Sequence, residues 1–211
     1  MRRLRYLIVL AVIVAVVLAV PASRVALLRA AGRALVSQDP LERVDAIVVA
    51  VDADGAGVLE AADLVHQGIS TRVAVFEDPP NATDRELLRR GAQYHDQAAE
   101  SIKQLKSLGI DSVEVIPRGV GGTSDEGAIL PSWCSTKGYR ALILVSTTDH
   151  SRRTRRILHR ASEASGLKIL VRASPYSDFD YNDWWTSRSG IRIELIEWQK
   201  LLFDVLRHPF S

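Results

Sequence analysis

Along most of the chain the apolar positions alternate between two periods. "DAIVVAV" (45–51) is a continuous apolar run of strand length that closes on "DADG", and residues 56–67 follow with helical spacing until Gly68. The alternation recurs at "RVAVF" (72–76), followed by helical stretches that break at Gly91 and close at Gly109. It recurs again at "SVEVI" (112–116), with a helix over about 123–136, and at "RALILVS" (140–146), with a basic helix. The last strand is "LKILVRA" (167–173), and a loop rich in Pro, Asp, Tyr and Trp leads to a helix over about 188–206. Short β-rich runs alternating with helices predict βαβ units with right-handed crossovers. The fold expected is a Rossmann-like three-layer αβα sandwich with a mostly parallel five-stranded sheet. Continuous rather than alternating hydrophobicity means that both faces of the sheet are covered.

The first forty residues follow neither period. "MRRLR" is a basic start, and 7–20 is an unbroken apolar run. As a helix that run is about 21 Å long, short of a hydrocarbon core of roughly 30 Å. Extended over 6–23, with Arg5 and Arg24 snorkelling outward, it reaches about 27 Å and would span a slightly thinned bilayer. A cleaved signal peptide is the rival reading, with Val20 and Ala22 as small residues near a cleavage site. The chain therefore divides into an anchor or signal segment (1–23), a helical stalk or linker (24–43) and an α/β domain (44–211).

In parallel α/β sheets ligands bind outside the carboxyl ends of the strands. That rule selects "DADG" (52–55), "EDPPN" (77–81), "RGVGGTSDE" (118–126) and "STTDH" (146–150). "VDAIVVA" opening the domain, "GGTSDEG" before a helix and "LVSTTDHSRRTRRIL" together resemble the YdcF/SanA/ElyC-like family of bacterial domains. The late motif of that family is matched by Val145, Ser146, Thr147, His150 and Arg153. Its middle motif is matched by Thr123, Asp125 and Glu126, with Gly127 in the alanine position. The resemblance covers 44 to about 206 and implies an α/β fold. For members with an N-terminal anchor it implies a part in cell-envelope biogenesis, without an established reaction. Where the family carries glycine-rich turns after the first two strands, this chain has "VDADG" and "FEDPPN", which put Asp52, Glu77 and Asp78 there instead.

Each candidate residue has a structural and a functional reading. Thr123 and Glu126 form Thr-x-x-Glu, a capping box. The same helix N-terminus could cradle an anion, with Gly122 and its neighbours allowing close approach. His150 titrates near neutrality and is a candidate general acid or base, with Asp125 or Glu126 as carboxylate partner. Asp149 reads as the cap of the following helix. Ser146, Thr147 and Asp52 border the same rim. Arg153, in the first turn of the basic helix, opposes the helix dipole and so looks like a clamp for a phosphate or carboxylate. Arg152, Arg155, Arg156 and His159 share one helical face and read as solvated, with contact to anionic lipid headgroups as the alternative. The segment "YSDFDYNDWW" (176–185) reads as a lid over the rim, as an interfacial aromatic patch, or as packing of Trp184 and Trp185 under a surface loop.

Composition narrows the functions. A net charge of +2 over 211 residues gives no reason to expect nucleic acid. One cysteine, Cys134, excludes an intrachain disulfide and the common zinc ligand sets. Asp52, Asp54, Glu77 and Asp78 are donors of the kind that hold Mg²⁺, but acidic loops are common without metal, and neither a metal nor another cofactor is expected. The leading expectation is a single-pass plasma-membrane protein with its domain on the extracytoplasmic side. It would bind an anionic, phosphorylated envelope metabolite or lipid-linked precursor and possess a hydrolase or transferase activity. The alternatives are a non-catalytic envelope assembly factor and a cytosol-facing nucleotide-binding enzyme. The lack of G-x-G-x-x-G after the first strand counts against a dinucleotide.

Overall fold

A computed structural model describes residues 5–6, 19–94, 96–118 and 123–209. Helix α1 (Pro21–Leu35) precedes strand β1 (Ala46–Val49) and helix α2 (Asp54–His66). Then come β2 (Val73–Phe76), α3 (Ala82–Arg89), α4 (Gln97–Ser107), β3 (Val113–Ile116) and α5 (Thr123–Lys137). Strand β4 (Ala141–Ser146), α6 (Ser151–Ser165), β5 (Lys168–Ala173) and α7 (Arg188–Arg207) complete the order. The strands form one parallel sheet in the order β3-β2-β1-β4-β5. The α/β architecture with a five-stranded parallel sheet thus agrees with the alternating periods. The strand order adds a switch point between β1 and β4, where successive connections leave in opposite directions.

Burial explains the strand sequences. Every residue of β1 and β2 is buried, as expected for central strands sandwiched between helices. Each such aliphatic side chain contributes about 1.5–3 kcal/mol of transfer free energy. The right-handed crossovers place α2 and α4 together over one face and α5 and α6 over the other. Gly57 lets α2 close onto β1, because an added Cβ would meet Val49 Cγ1 at 2.7 Å. The opening Asp45 works at the end of the sheet remote from the rim. Its carboxylate accepts from the backbone N–H groups of Arg140 and Ala141 at 2.7 and 3.0 Å, which tie the entry of β4 to β1. Those two bonds hold its carboxyl below the ordinary aspartate range.

The helix expected as a stalk is docked on the domain over its C-terminal half. Leu35 is buried in a cluster with Phe179 and Leu201. Trp184 donates from its indole to Leu28 O at 2.9 Å, and a Cβ on Gly32 would lie 2.4 Å from Tyr181 O. The aromatic segment 176–185 is therefore the seat for α1. The linker continues along the β5 edge, where the Asp39 backbone N–H donates to Val171 O at 2.9 Å and the Asp39 carboxylate takes the Val171 N–H at 2.9 Å. This covers part of an edge that would otherwise offer unpaired groups. Among the described residues no helix is long and apolar enough to cross a membrane; residues 7–18, the core of the expected anchor, lie outside them.

Candidate functional site at the β1/β4 crevice

The corner after β4 explains the run of small hydroxyls. Thr148 Oγ1 donates to Ser174 O at 2.9 Å, and Ser151 Oγ donates to Thr148 O at 2.8 Å while accepting from Ser37 N at 2.9 Å. These bonds lock the corner to the end of β5 and to the linker. Ser146 is wholly buried at the strand end, with its hydroxyl unpartnered, and Thr147 borders the crevice. The clamp fixes the backbone that presents Asp149 and His150.

His150 sits at the centre. Its Nδ1 lies against the Asp149 carboxylate, and its Nε2 faces Asp52 Oδ2 at 3.3 Å and Glu197 Oε1 at 3.7 Å. Burial disfavours the imidazolium, but the Asp149, Asp52 and Glu197 carboxylates outweigh it and raise the His150 pKa above its ordinary value. Burial likewise pushes Asp149 upward, but the His150 ring prevails and holds that carboxyl below the ordinary range. Asp52, from the turn after β1, is raised by desolvation in the crevice. Glu126 is 3% exposed, and burial, reinforced by the Asp52 charge, lifts its carboxyl to about 7. Its Oε2 has no partner.

Two clefts meet at His150. One, of about 480 Å³, is lined by Asp52 to Ala56, Thr147, Asp149 and the Tyr176–Phe179 turn. The other, of about 330 Å³, is lined by Ser189, Arg192, Ile193, Ile196, Glu197 and Lys200 of α7. In the floor of the first, Asp54 holds a backbone φ of 42°, a conformation that favours glycine and carries strain of the kind stored at functional sites.

Several expectations need correction. Asp125 is exposed, and the carboxylate that orients His150 is Asp149, which the sequence suggested as a helix cap. Glu126 does not act as the reciprocal arm of a capping box. The helix already begins at Thr123, and the Glu126 carboxyl is buried beneath the turn after β1, where the Val51 N–H stabilises its charged form. Thr123 is half-buried at the head of α5, and the predicted Gly122 lies outside the described residues. Arg153 is not an open clamp. Its Nε donates to Glu197 Oε2 at 3.1 Å, and that carboxylate, 2% exposed, supplies the offsetting negative charge that the helix dipole demands. The "solvated" face also divides: Arg156, together with Arg160, holds Asp204 of α7, and Arg155 holds Asp39 of the linker. The crevice is consequently acidic rather than positive, with Asp52, Glu126, Asp149 and Glu197 around His150 and Arg153.

Sequence reasoning did not select Glu197, Arg192, Lys200 or Arg118. Arg118, at the exit of β3, has a guanidinium only 4% exposed. It donates to Glu77 O at 3.0 Å and to Asp78 Oδ1 at 2.8 Å, closing the two loops over one another. The signal for Glu197 was present. Glu197 and Asp204 are seven residues apart on one helix, the spacing of their partners Arg153 and Arg160 on another. Among the described residues no group of three His, Cys, Asp or Glu side chains has the arrangement of a metal site. Cys134 is buried, and burial pushes its thiol up to about 12, which excludes it as a nucleophile near neutrality.

The geometry defines a class: a parallel α/β domain whose switch-point crevice carries an imidazole enclosed by carboxylates. A scan against protein-family models finds none that matches the chain, and a search of curated proteins finds no match either.

Proposed function

We propose that the chain is an envelope-associated enzyme performing acid–base hydrolysis or transfer on a phosphorylated or otherwise anionic small molecule, or a lipid-linked precursor, in the β1/β4 crevice. One observation carries the reading. His150 stands where the two clefts meet, oriented by Asp149, with its other nitrogen facing the crevice. An imidazolium favoured by its neighbours is suited to protonating a leaving oxygen, while an ionised Glu126 or Asp52 takes the proton of the attacking water or alcohol. One proton leaves the nucleophile and one reaches the leaving group, so the site returns to its starting charge after a further exchange with solvent. The substrate anion falls to Arg192 at the α7 cleft rather than to Arg153 or Lys200, which are both spent on Glu197. The apolar segment 6–23 supplies the membrane attachment, on the plasma membrane with the domain extracytoplasmic. The likeness of the late and middle motifs to the YdcF/SanA/ElyC-like family supports the envelope assignment.

The test uses the full chain in detergent with a panel of phosphomonoesters, phosphodiesters and glycosyl phosphates. His150→Gln and Glu126→Gln are each expected to lower kcat on the accepted class by about 10²–10⁴ with the fold intact. Undiminished turnover in both variants would overturn the assignment. The internal neutralisation of Arg153 favours a second reading, a non-catalytic envelope assembly factor. That reading predicts no turnover of any panel member, and complementation that survives both substitutions.

A further inference from the structure

Helix α7 buries acids beside Leu201 and leaves much of its apolar surface outside. Its inner face carries Glu194, Glu197 and Asp204, all buried, whereas Ile191, Leu195, Trp198, Leu202 and Leu206 are 38% to 71% exposed. Those five positions, spaced by four, three, four and four residues, form a single stripe along a 20-residue helix. Phe203, 60% exposed, borders it with Arg207 stacked on its ring at 5.2 Å. The inner acids have internal partners: Glu197 holds Arg153 and Lys200, Asp204 holds Arg156 and Arg160, and Glu194 accepts from the Trp198 indole. Beyond the pair of Lys200 with Glu197, the outer half of α7 carries the cations Arg188, Arg192 and Arg207, all exposed.

We propose that this outer face of α7 lies on an anionic lipid surface, with the apolar stripe at the acyl boundary and the flanking cations among the headgroup phosphates. A helix with Trp, Phe and Leu on one side and Lys and Arg beside them has the make-up of an interfacial helix. Charge selects lipid over a second copy of the chain, because pairing two such faces sets Arg188, Arg192 and Arg207 of each copy against those of the other with no exposed carboxylate of α7 to offset them. Continuity points the same way: α7 packs on α1, and α1 follows directly on the apolar run 7–20. The cleft lined by Arg192, Ile196 and Lys200 then opens at headgroup depth, which favours a substrate that is itself lipid-linked. That consequence rests on the catalytic reading above; the membrane contact does not.

Cys134 is 1% exposed, so an environment-sensitive fluorophore can be placed selectively through Leu202→Cys, with Leu108→Cys on the opposite side of the sheet as reference. The labelled full chains are reconstituted in vesicles of brominated phosphatidylcholine with phosphatidylglycerol. Severalfold stronger quenching and a blue shift at position 202 are expected, both reduced toward the reference by combining Arg188→Glu with Arg207→Glu. Equal quenching at 202 and 108 would overturn the proposal. So would an unquenched label at 202 accompanied by disulfide-linked dimers of the unlabelled Leu202→Cys chain, which would assign the stripe to a second copy. Turnover is not measured, so this outcome is independent of the catalytic assignment.

Discussion

Two clusters of charge lie side by side in this domain, and they differ in balance. Between α6 and α7, Arg153, Arg156 and Arg160 meet Glu197 and Asp204 in a nearly matched ladder, and the guanidiniums hold Asp204 well inside the ionised range against the effect of burial. At the crevice, Asp52, Asp149 and Glu197 crowd one imidazole, and burial outweighs the neighbouring cations at both Asp52 and Glu126. A matched buried cluster lets every group ionise and fastens one helix to another. An unmatched one retains protons near neutrality, which costs stability and provides acid–base capacity. Glu197 belongs to both, so the scaffold and the reactive crevice share a carboxylate.

The sharpest way to break the contrast is Asp204→Ala. It removes the carboxylate that Arg156 and Arg160 share and should cost about 3–4 kcal/mol, read as a lower urea midpoint at constant slope. Glu126→Gln should act in the opposite direction. The Glu126 pKa is raised from 4.5 to about 7, so the wild-type folded state loses stability as pH rises between those values. The variant should be more stable by about 3 kcal/mol well above neutrality, with the gain vanishing below the ordinary glutamate range. Glu197→Gln tests the shared member. It should cost about 2 kcal/mol through the weakened bond to Arg153 and should lower the His150 pKa, seen by imidazole NMR. The smallest effect is the pH response of His150 itself. Its folded pKa is raised, so its stabilising contribution is complete below the ordinary histidine value and fades as pH climbs through the folded one. His150→Gln should flatten that part of the stability curve.

The contrast also marks where sequence reading succeeds. Alternating periods located all five strands to within about two residues, because a strand covered on both faces must be apolar throughout. They placed the rim correctly, since parallel strands direct all their exits to one edge. His150 and Glu126 were chosen because they lie at strand exits; His150 lines the crevice, whereas Glu126 is buried beneath the turn after β1. Their partners were misassigned for a consistent reason. Asp125 lies in the loop proposed to meet His150, yet it is exposed, while Glu197 arrives from a helix 47 residues beyond His150.

The amino-acid order alone determined the repeated strand–helix units, the apolar run 7–20 and the set of ionisable groups at the sheet's edge. Tertiary structure decided which charges are neutralised, because a guanidinium that might grip a ligand is indistinguishable in sequence from one that grips a distant helix. It also decided which face of α7 turns inward. Hydrophobic pattern would have buried Leu195, Leu202 and Leu206, but the arginines of α6 claim the acidic side instead. Coulomb pairing in a crevice sheltered from water depends on separation in space, and separation in space is what a linear pattern does not contain.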